Sequence, residues 1–376
     1  MELLRSFLLA GTVQGFFLIF LIGSKIKRTI SDRILMYWMA IIAFQLLFYY
    51  DNLAAKPLSP VWLGLIAFSL PLISSPILYH YIRSLAFSQI IGWRRSWIHS
   101  VPFLAFNCIC LSAFVLQPGG MEIRKGLPIF TNVLPSPIIY LLTSLMAIVP
   151  GYYALLSLLV LIRYQRSLGD SYSFTEKVNL NWLKWIVVSL FILFIGLFLL
   201  IRYGMHYGLV RKENLFVIVG TALSAYVFLI GYFGLRQTII FPELSRPQGL
   251  ESPTARYKNS GLNEELSLQL FQRLQRHMEQ QQPFLDENLS LGILASQMDC
   301  SANQLSQVIN QHSQGNFFTF INTYRVGLLK QRLKDPAFSH YSILGIGYDC
   351  GFQSKSSLNK IFKQITGQTP SEYQKS

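Results

Sequence analysis

The sequence predicts an all-α protein in two parts: seven membrane-crossing helices, then a compact domain of two helix-turn-helix units joined by a long helix. Three observations predict it. Seven apolar stretches are long enough to cross a bilayer, which takes about 20 residues. Charge is scarce where those stretches lie and denser after them. The last hundred or so residues repeat a pattern of two short helices around a tight turn. Of 376 residues, 52% are hydrophobic and 13% charged, with a formal net charge of +14. An ordinary soluble domain carries about 25% charged residues, so a wholly soluble chain is excluded. Residues 1–236 hold 19 basic and 7 acidic side chains, and residues 237–376 hold 13 and 11.

The apolar stretches fall near 4–23, 34–52, 60–82, 97–117, 134–162, 183–203 and 214–235. The first is no cleaved leader. Its apolar core is too long, it lacks a small-residue cleavage site, and Lys25, Lys27, Arg28 and Arg33 follow it as a stop-transfer flank. Loop charge sets the orientation. With the N-terminus outside, the inner loops hold twelve Lys and Arg residues and the outer loops seven. Seven spans then put the C-terminal domain in the cytoplasm, which predicts a multi-pass membrane protein.

The interior of the spans is nearly free of charge, unlike a transporter. Gln14, Gln45 and Asn107 are the main polar groups at depth, and each is read as a bond to a neighbouring helix rather than to a substrate. The seventh stretch has no lysine, which removes a retinal Schiff base. Charged or ionisable groups gather at the ends: Asp51, Arg202 and His206 outside, His80, Arg83 and His99 inside. The outer three read first as interfacial anchors and, as the alternative, as the mouth of a site for an unknown signal ligand.

Residues 237–261, with Pro242, Pro247 and Pro253, read as a linker. An amphipathic helix begins near Leu262 and carries Leu266, Leu270, Phe271 and Leu274 on one stripe. It suits either a dimer contact or packing beside the helices that follow. The first helix-turn-helix unit spans about 289–311. Ser290 caps its first helix, Asp299-Cys300 turn, and Ser301 caps the second, anchored by Leu305 and Ile309. A linking helix, about 317–334, stops before Pro336. The second unit spans about 342–366, turns at Cys350-Gly351-Phe352, and is capped by Ser354 with Leu358, Ile361 and Phe362 as anchors. Leu305 and Leu358, like Ile309 and Phe362, stand 53 residues apart (358 − 305, 362 − 309). Gly367 closes the last helix and Pro370 opens a final turn.

The segment from Ile343 to Gln374 resembles the signature of the AraC family of bacterial transcription regulators. Ile346, Gly351-Phe352, Ser354, Phe362-Lys363, Gly367, Thr369-Pro370 and Tyr373 carry the resemblance. It covers about 262–376. Gly347 stands where alanine is usual, Leu358 follows Ser357 where an aromatic is common, and Gln374 replaces a frequent arginine. The seven spans are similar, in architecture alone, to the membrane-anchored members of that family. The resemblance implies a transcription regulator of the bacterial inner membrane that binds double-stranded DNA, with RNA polymerase and a second copy of the chain (a homodimer) as expected partners. The order of the parts points to a one-component sensor, in which a signal at the spans acts through the linker on the DNA-binding domain.

A helix reads sequence by presenting hydrogen-bonding side chains to base edges in the major groove. The first unit is expected to expose Asn303, Ser306, Gln307 and Asn310, uncharged groups suited to adenine edges. The second is expected to expose Lys355, Ser356, Asn359, Lys360 and Lys363. Matched to the family's pattern, Asn303, Ser306 and Gln307, then Lys355, Ser356, Asn359 and Lys360, hold its base- or groove-facing positions, and Lys363 a phosphate-facing one. Any one of these alone reads as solvated helix surface; the repeat makes them a set. No catalytic residue, cofactor or metal is expected: the four cysteines and six histidines form no paired zinc spacing. Two rival classes are a constitutive tethered DNA-binding protein and a transporter or enzyme with a regulatory tail.

Overall fold

A computed structural model describes the chain except Met1, Lys27, 55–57, 88–96, 125–126, 131–133, 175–179, 201–202, 204–211, 241–262 and Gln314. The chain divides into two compact units. One joins Met1–Ile162 to Leu180–Ser245, and the other joins Arg163–Asn179 to Arg246–Ser376.

In the first unit the apolar stretches are helices: α1 (Glu2–Gly23), α2 (Ile30–Asn52), α3 (Val61–Ser69), α4 (Pro71–Phe87), α5 (Val101–Leu116), α6 (Ser136–Ser171), α7 (Asn181–Leu199) and α8 (Lys212–Ile240). Five segments among the described residues have the length and composition to cross a membrane: α1, α2, α3 with α4, Trp97–Leu116, and Pro137–Ser171. The sixth and seventh expected spans are represented by shorter apolar stretches, Asn181–Gly196 and Ile218–Phe233. These helices are apolar on every side. Helix α1 buries Leu8, Leu18 and Ile22 and leaves Phe16, Phe17 and Phe20 exposed. Helix α1 packs on α2 and α8 through small residues. A Cβ at Gly15 would lie 3.0 Å from Ala43 Cβ, and one at Gly11 2.6 Å from Ser224 Oγ, so the backbones approach as they do where small residues line membrane helix contacts.

The two buried amides, Asn107 and Gln45, behave differently. Asn107 Nδ2 donates to Ser69 Oγ at 2.7 Å, a bond from α5 to α3. Gln45 instead donates to Tyr49 Oη at 2.8 Å on its own helix, because an i, i+4 partner lies within reach there. One element departs from the all-α expectation. Strands β1 (Met121–Arg124) and β2 (Leu127–Phe130) form an antiparallel hairpin in the loop after α5. The segment follows Pro118-Gly119-Gly120, which ends the helix and leaves a run too short to build another.

The second unit contains α9 (Glu264–Gln281), α10 (Leu291–Gln297), α11 (Ala302–His312), α12 (Phe317–Lys334), α13 (Ile343–Asp349), α14 (Lys355–Thr366) and α15 (Pro370–Lys375). The helix starts are serine or asparagine caps. Ser290, Ser301, Ser342 and Ser354 each accept a bond from the amide three residues on. Two cores flank α12: one gathers Leu294, Leu305, Ile309, Phe317 and Ile321, the other Val326, Leu329, Ile346, Leu358 and Phe362. Helix α9 packs along α11, with Ser267 Oγ donating to Gln311 Oε1 at 2.9 Å.

Both turns are built alike. Asp299 (φ 50°) and Gly351 (φ 88°) are left-handed. Cys300 N–H then bonds Ala295 O at 3.0 Å and Phe352 N–H bonds Gly347 O at 3.1 Å, the bond that closes a Schellman motif. The second turn has one more residue before its cap. Gly351 is held tightly: a Cβ there would stand 2.4 Å from Phe284 O and 3.0 Å from Arg325 Nε. Replacing Gly351 by alanine is expected to cost about 2–4 kcal/mol, from the left-handed backbone and the collision with a carbonyl. Hydrogen exchange of the α13 and α14 amides in the full chain measures it; unchanged protection would contradict this packing.

Candidate nucleic-acid interface

The recognition helices of the two units are α11 and α14. Each begins at a serine whose hydroxyl accepts from the third amide, which fixes where the first turn points. Helix α14 buries Leu358, Ile361 and Phe362. Lys355, Ser356, Lys360 and Lys363 are exposed and Asn359 is half-buried. The four expected groove-facing residues of the second unit and Lys363 therefore share the outer side of one helix. Ser354 Oγ lies 3.1 Å from Ser356 Oγ, so the cap also positions a side chain at the helix start.

The first unit differs from expectation. Asn303 and Asn310 are exposed, but Ser306 is buried and Gln307 is only 8% exposed. Five consecutive residues, Leu305 to Ile309, are buried. A helical wheel infers exposure from one packed stripe, and α11 is enclosed on more than one. Among the described residues, Gln307 Oε1 has no hydrogen-bond partner.

Of the three outer residues considered for signal binding, Arg202 and His206 lie outside the described residues. Asp51 is described, and its carboxylate closes the loop after α2. It accepts from Leu58 N–H at 3.0 Å and Ser59 N–H at 2.9 Å, and from the Ser59 hydroxyl. That is a loop-closing role. At the other end, His99 Nδ1 lies 2.5 Å from Tyr153 Oη, and its ring centroid is 4.9 Å from that of His80. Among the described residues, no group of three or more His, Cys, Asp or Glu is arranged to hold a metal.

A residue the sequence reasoning passed over ties α12 to segments distant in the chain. Arg325, on α12, is 2% exposed. Its Nε donates to Phe284 O at 2.8 Å and its Nη2 to Asp286 O at 2.8 Å. Nη1 donates to Ser173 O at 3.3 Å and to Asn322 Oδ1 at 3.4 Å, and Nη2 to Ser173 Oγ at 3.2 Å. Burial pushes this guanidinium down to about 10, opposed by Asp286 and Glu287, so it remains a cation at neutral pH. The available signal was an arginine on the apolar side of a core helix, between Ile321 and Leu329. Cys350 is also buried, and burial raises its thiol to about 11, which keeps it protonated and unreactive.

Residues 294–376 match the family of helix-turn-helix domains. The geometry and this match define a helix-turn-helix domain and support double-stranded DNA binding and transcription regulation of the AraC type. Such a domain points to a regulator, typically not an enzyme, and the apolar helices ahead of it suggest membrane association. Compared with curated proteins and with solved structures, the chain has no match.

Replacing Arg325 by lysine keeps the charge and loses the planar fork that reaches several carbonyls at once. The expected cost is about 2–4 kcal/mol, from buried carbonyls left without donors. Denaturant unfolding of the full chain in detergent, followed by a probe in the C-terminal domain, measures it.

Proposed function

We propose that the protein is a membrane-bound one-component transcription regulator. Residues 1–236 form a seven-span sensor region, 237–261 a linker, and 262–376 a cytoplasmic DNA-binding domain of two helix-turn-helix units. A signal reaching the membrane region alters the DNA-binding domain, which acts at promoters with RNA polymerase and as a homodimer. The observation that carries the reading is the duplicated capped helix pair, with Lys355, Lys360 and Lys363 exposed along the second recognition helix, on the same chain as five membrane-length apolar helices.

The residue roles follow from chemistry. Asn303, Ser306 and Gln307 offer uncharged donors and acceptors to base edges, with Ser306 and Gln307 becoming accessible in the DNA-bound form. Lys355, Ser356, Asn359 and Lys360 face the second groove, and Lys363 pairs with phosphate. The reading places the C-terminus in the cytoplasm, supported by the loop charges and by residues 163–174 sharing a compact unit with the C-terminal domain. A reporter fused after Ser376 is expected to be active only in the cytoplasm.

Residues 237–376 carry a near-balanced charge, 13 basic against 11 acidic, so the electrostatic part of binding is modest. With about three or four phosphates neutralised, log K falls against log salt with a slope of roughly −3. Lys355→Ala with Lys360→Ala is expected to weaken retention of duplex DNA at least tenfold, whereas Lys363→Ala flattens that slope by about 1. Titration of labelled duplex at several salt concentrations reads both. An unchanged affinity would remove the second unit from the interface.

A further inference from the structure

Helix α6 does not stop where its apolar stretch ends. It continues to Ser171, and its final turns are polar apart from Tyr164 and Leu168, which with Tyr172 form a buried stripe at four-residue spacing. Arg163 and Arg166 between them are exposed. The chain then lies against the C-terminal domain. Tyr172 forms an antiparallel bridge with Ser290, and Ser173 Oγ donates to Leu289 O at 2.7 Å. Asn322 Nδ2 donates to Ser173 O at 3.1 Å. With the two Arg325 bonds described above, one serine engages the first unit's cap region and the linking helix together. Phe174 is buried, and with Ser173 it borders a small cavity completed by Phe318, Gln353, Ser357 and Lys360. The last two belong to the second recognition helix. A Cβ at Gly169 would stand 2.6 Å from Asn316 Nδ2, the cap of α12.

We propose that residues 164–174 are a latch: the end of α6 clasps the DNA-binding domain and holds it in a resting form, and movement of α6 releases it. This rests on the DNA-binding function proposed above and adds the route of control. Three features support it. The contact is specific, since Ser173 uses its hydroxyl and its carbonyl on two different segments, Leu289 and helix α12. It reaches the edge of a recognition helix at Ser357 and Lys360. It coexists with a covered first recognition helix, in which Gln307 is 8% exposed with its Oε1 unpartnered. A groove-reading side chain in that state is not ready for DNA. Continuity supplies the transmission: α6 is one 36-residue helix with Pro150 inside it, and the turns after Pro150 run unbroken from the apolar stretch to Ser171, so a shift of that apolar part reaches Ser171 directly.

The full chain in lipid nanodiscs tests the latch in both directions. Tyr172→Cys with Ser290→Cys pairs two bridge-partner positions, close enough in an antiparallel bridge for a disulfide. Tyr172→Ala with Phe174→Ala opens the clasp. Each is combined with Gln307→Cys and probed by a maleimide and by retention on sheared total DNA. The expected result is slow Gln307→Cys labelling and weak retention in the oxidised pair, both reversed by reductant. The opened variant labels and binds at least tenfold better. Labelling and retention that do not differ between locked and opened forms would overturn the latch. Labelling that responds while no form retains DNA would keep the latch and overturn the DNA-binding reading. Failure of the cysteine pair to oxidise would show that 172 and 290 do not meet, which also overturns it. Thermal unfolding of each variant identifies misfolding, and Ser173→Ala, which removes only the hydroxyl bonds, then supplies the intermediate labelling rate expected of a weakened latch.

Discussion

The C-terminal domain depends on one buried cation. Moving a guanidinium out of water costs several kcal/mol unless its donors are met. Arg325 meets them almost entirely with main-chain carbonyls and one serine. Those acceptors come from separate places: the short turn Pro283–Leu285, Asp286 beyond it, and Ser173 from the end of α6. Carbonyls cannot rearrange as side chains can, so the arginine fixes the distances between backbones. It stands midway along α12, the helix both cores share. The place of α12 against the chain at Ser173 and at Phe284–Asp286 is thereby a property of the backbone around a single side chain.

Gly351 belongs to the same constraint. Its Cβ position lies against Phe284 O and Arg325 Nε, so the turn of the second unit presses on the carbonyl that the arginine holds. The first turn has no such neighbour and uses Asp299 in the left-handed conformation, which aspartate tolerates better than most residues. Gly347 also finds its reason in packing. Leu358 Cδ1 occupies the place a Cβ would take, 1.8 Å from it. The glycine and the leucine are two halves of one fit. A departure from the family's usual alanine is matched by a side chain that fills the space.

Much of this was legible in the sequence because it is local. Caps, turns and apolar stripes depend on residues three or four apart, and the duplicated pattern revealed both units and the long helix between them. Membrane-length helices were legible from composition for the same reason. Exposure on α11 was not, because Ser306 and Gln307 look like surface on a wheel that knows only one packed face. The role of Arg325 was hidden as well, since its partners are carbonyls and carbonyls leave no mark in a sequence. The contact of Ser173 with residues more than a hundred positions away had only a faint trace: Tyr164, Leu168 and Tyr172 spaced by four in a polar stretch.

The order of the parts invites the view that a signal passes from the last apolar helix through residues 237–261 into the DNA-binding domain. A proline-containing, weakly patterned linker is a poor carrier of small displacements. Helix α6 offers a different physical route. It runs on past its apolar stretch, it ends in a backbone clasp, and the clasp shares its hydrogen bonds with the arginine that ties α12 to Phe284 and Asp286. A displacement of Ser173 by a few ångströms removes two acceptors from Arg325 at once. The cation must then find new partners or admit water, and either response changes the packing around α12. Differential contact of this kind is what a conformational equilibrium requires, because a signal shifts two states only as far as their interactions differ. A tether can still govern pairing by keeping two domains close, while the clasp governs whether each is competent; the two functions are separable because they use different segments of the chain.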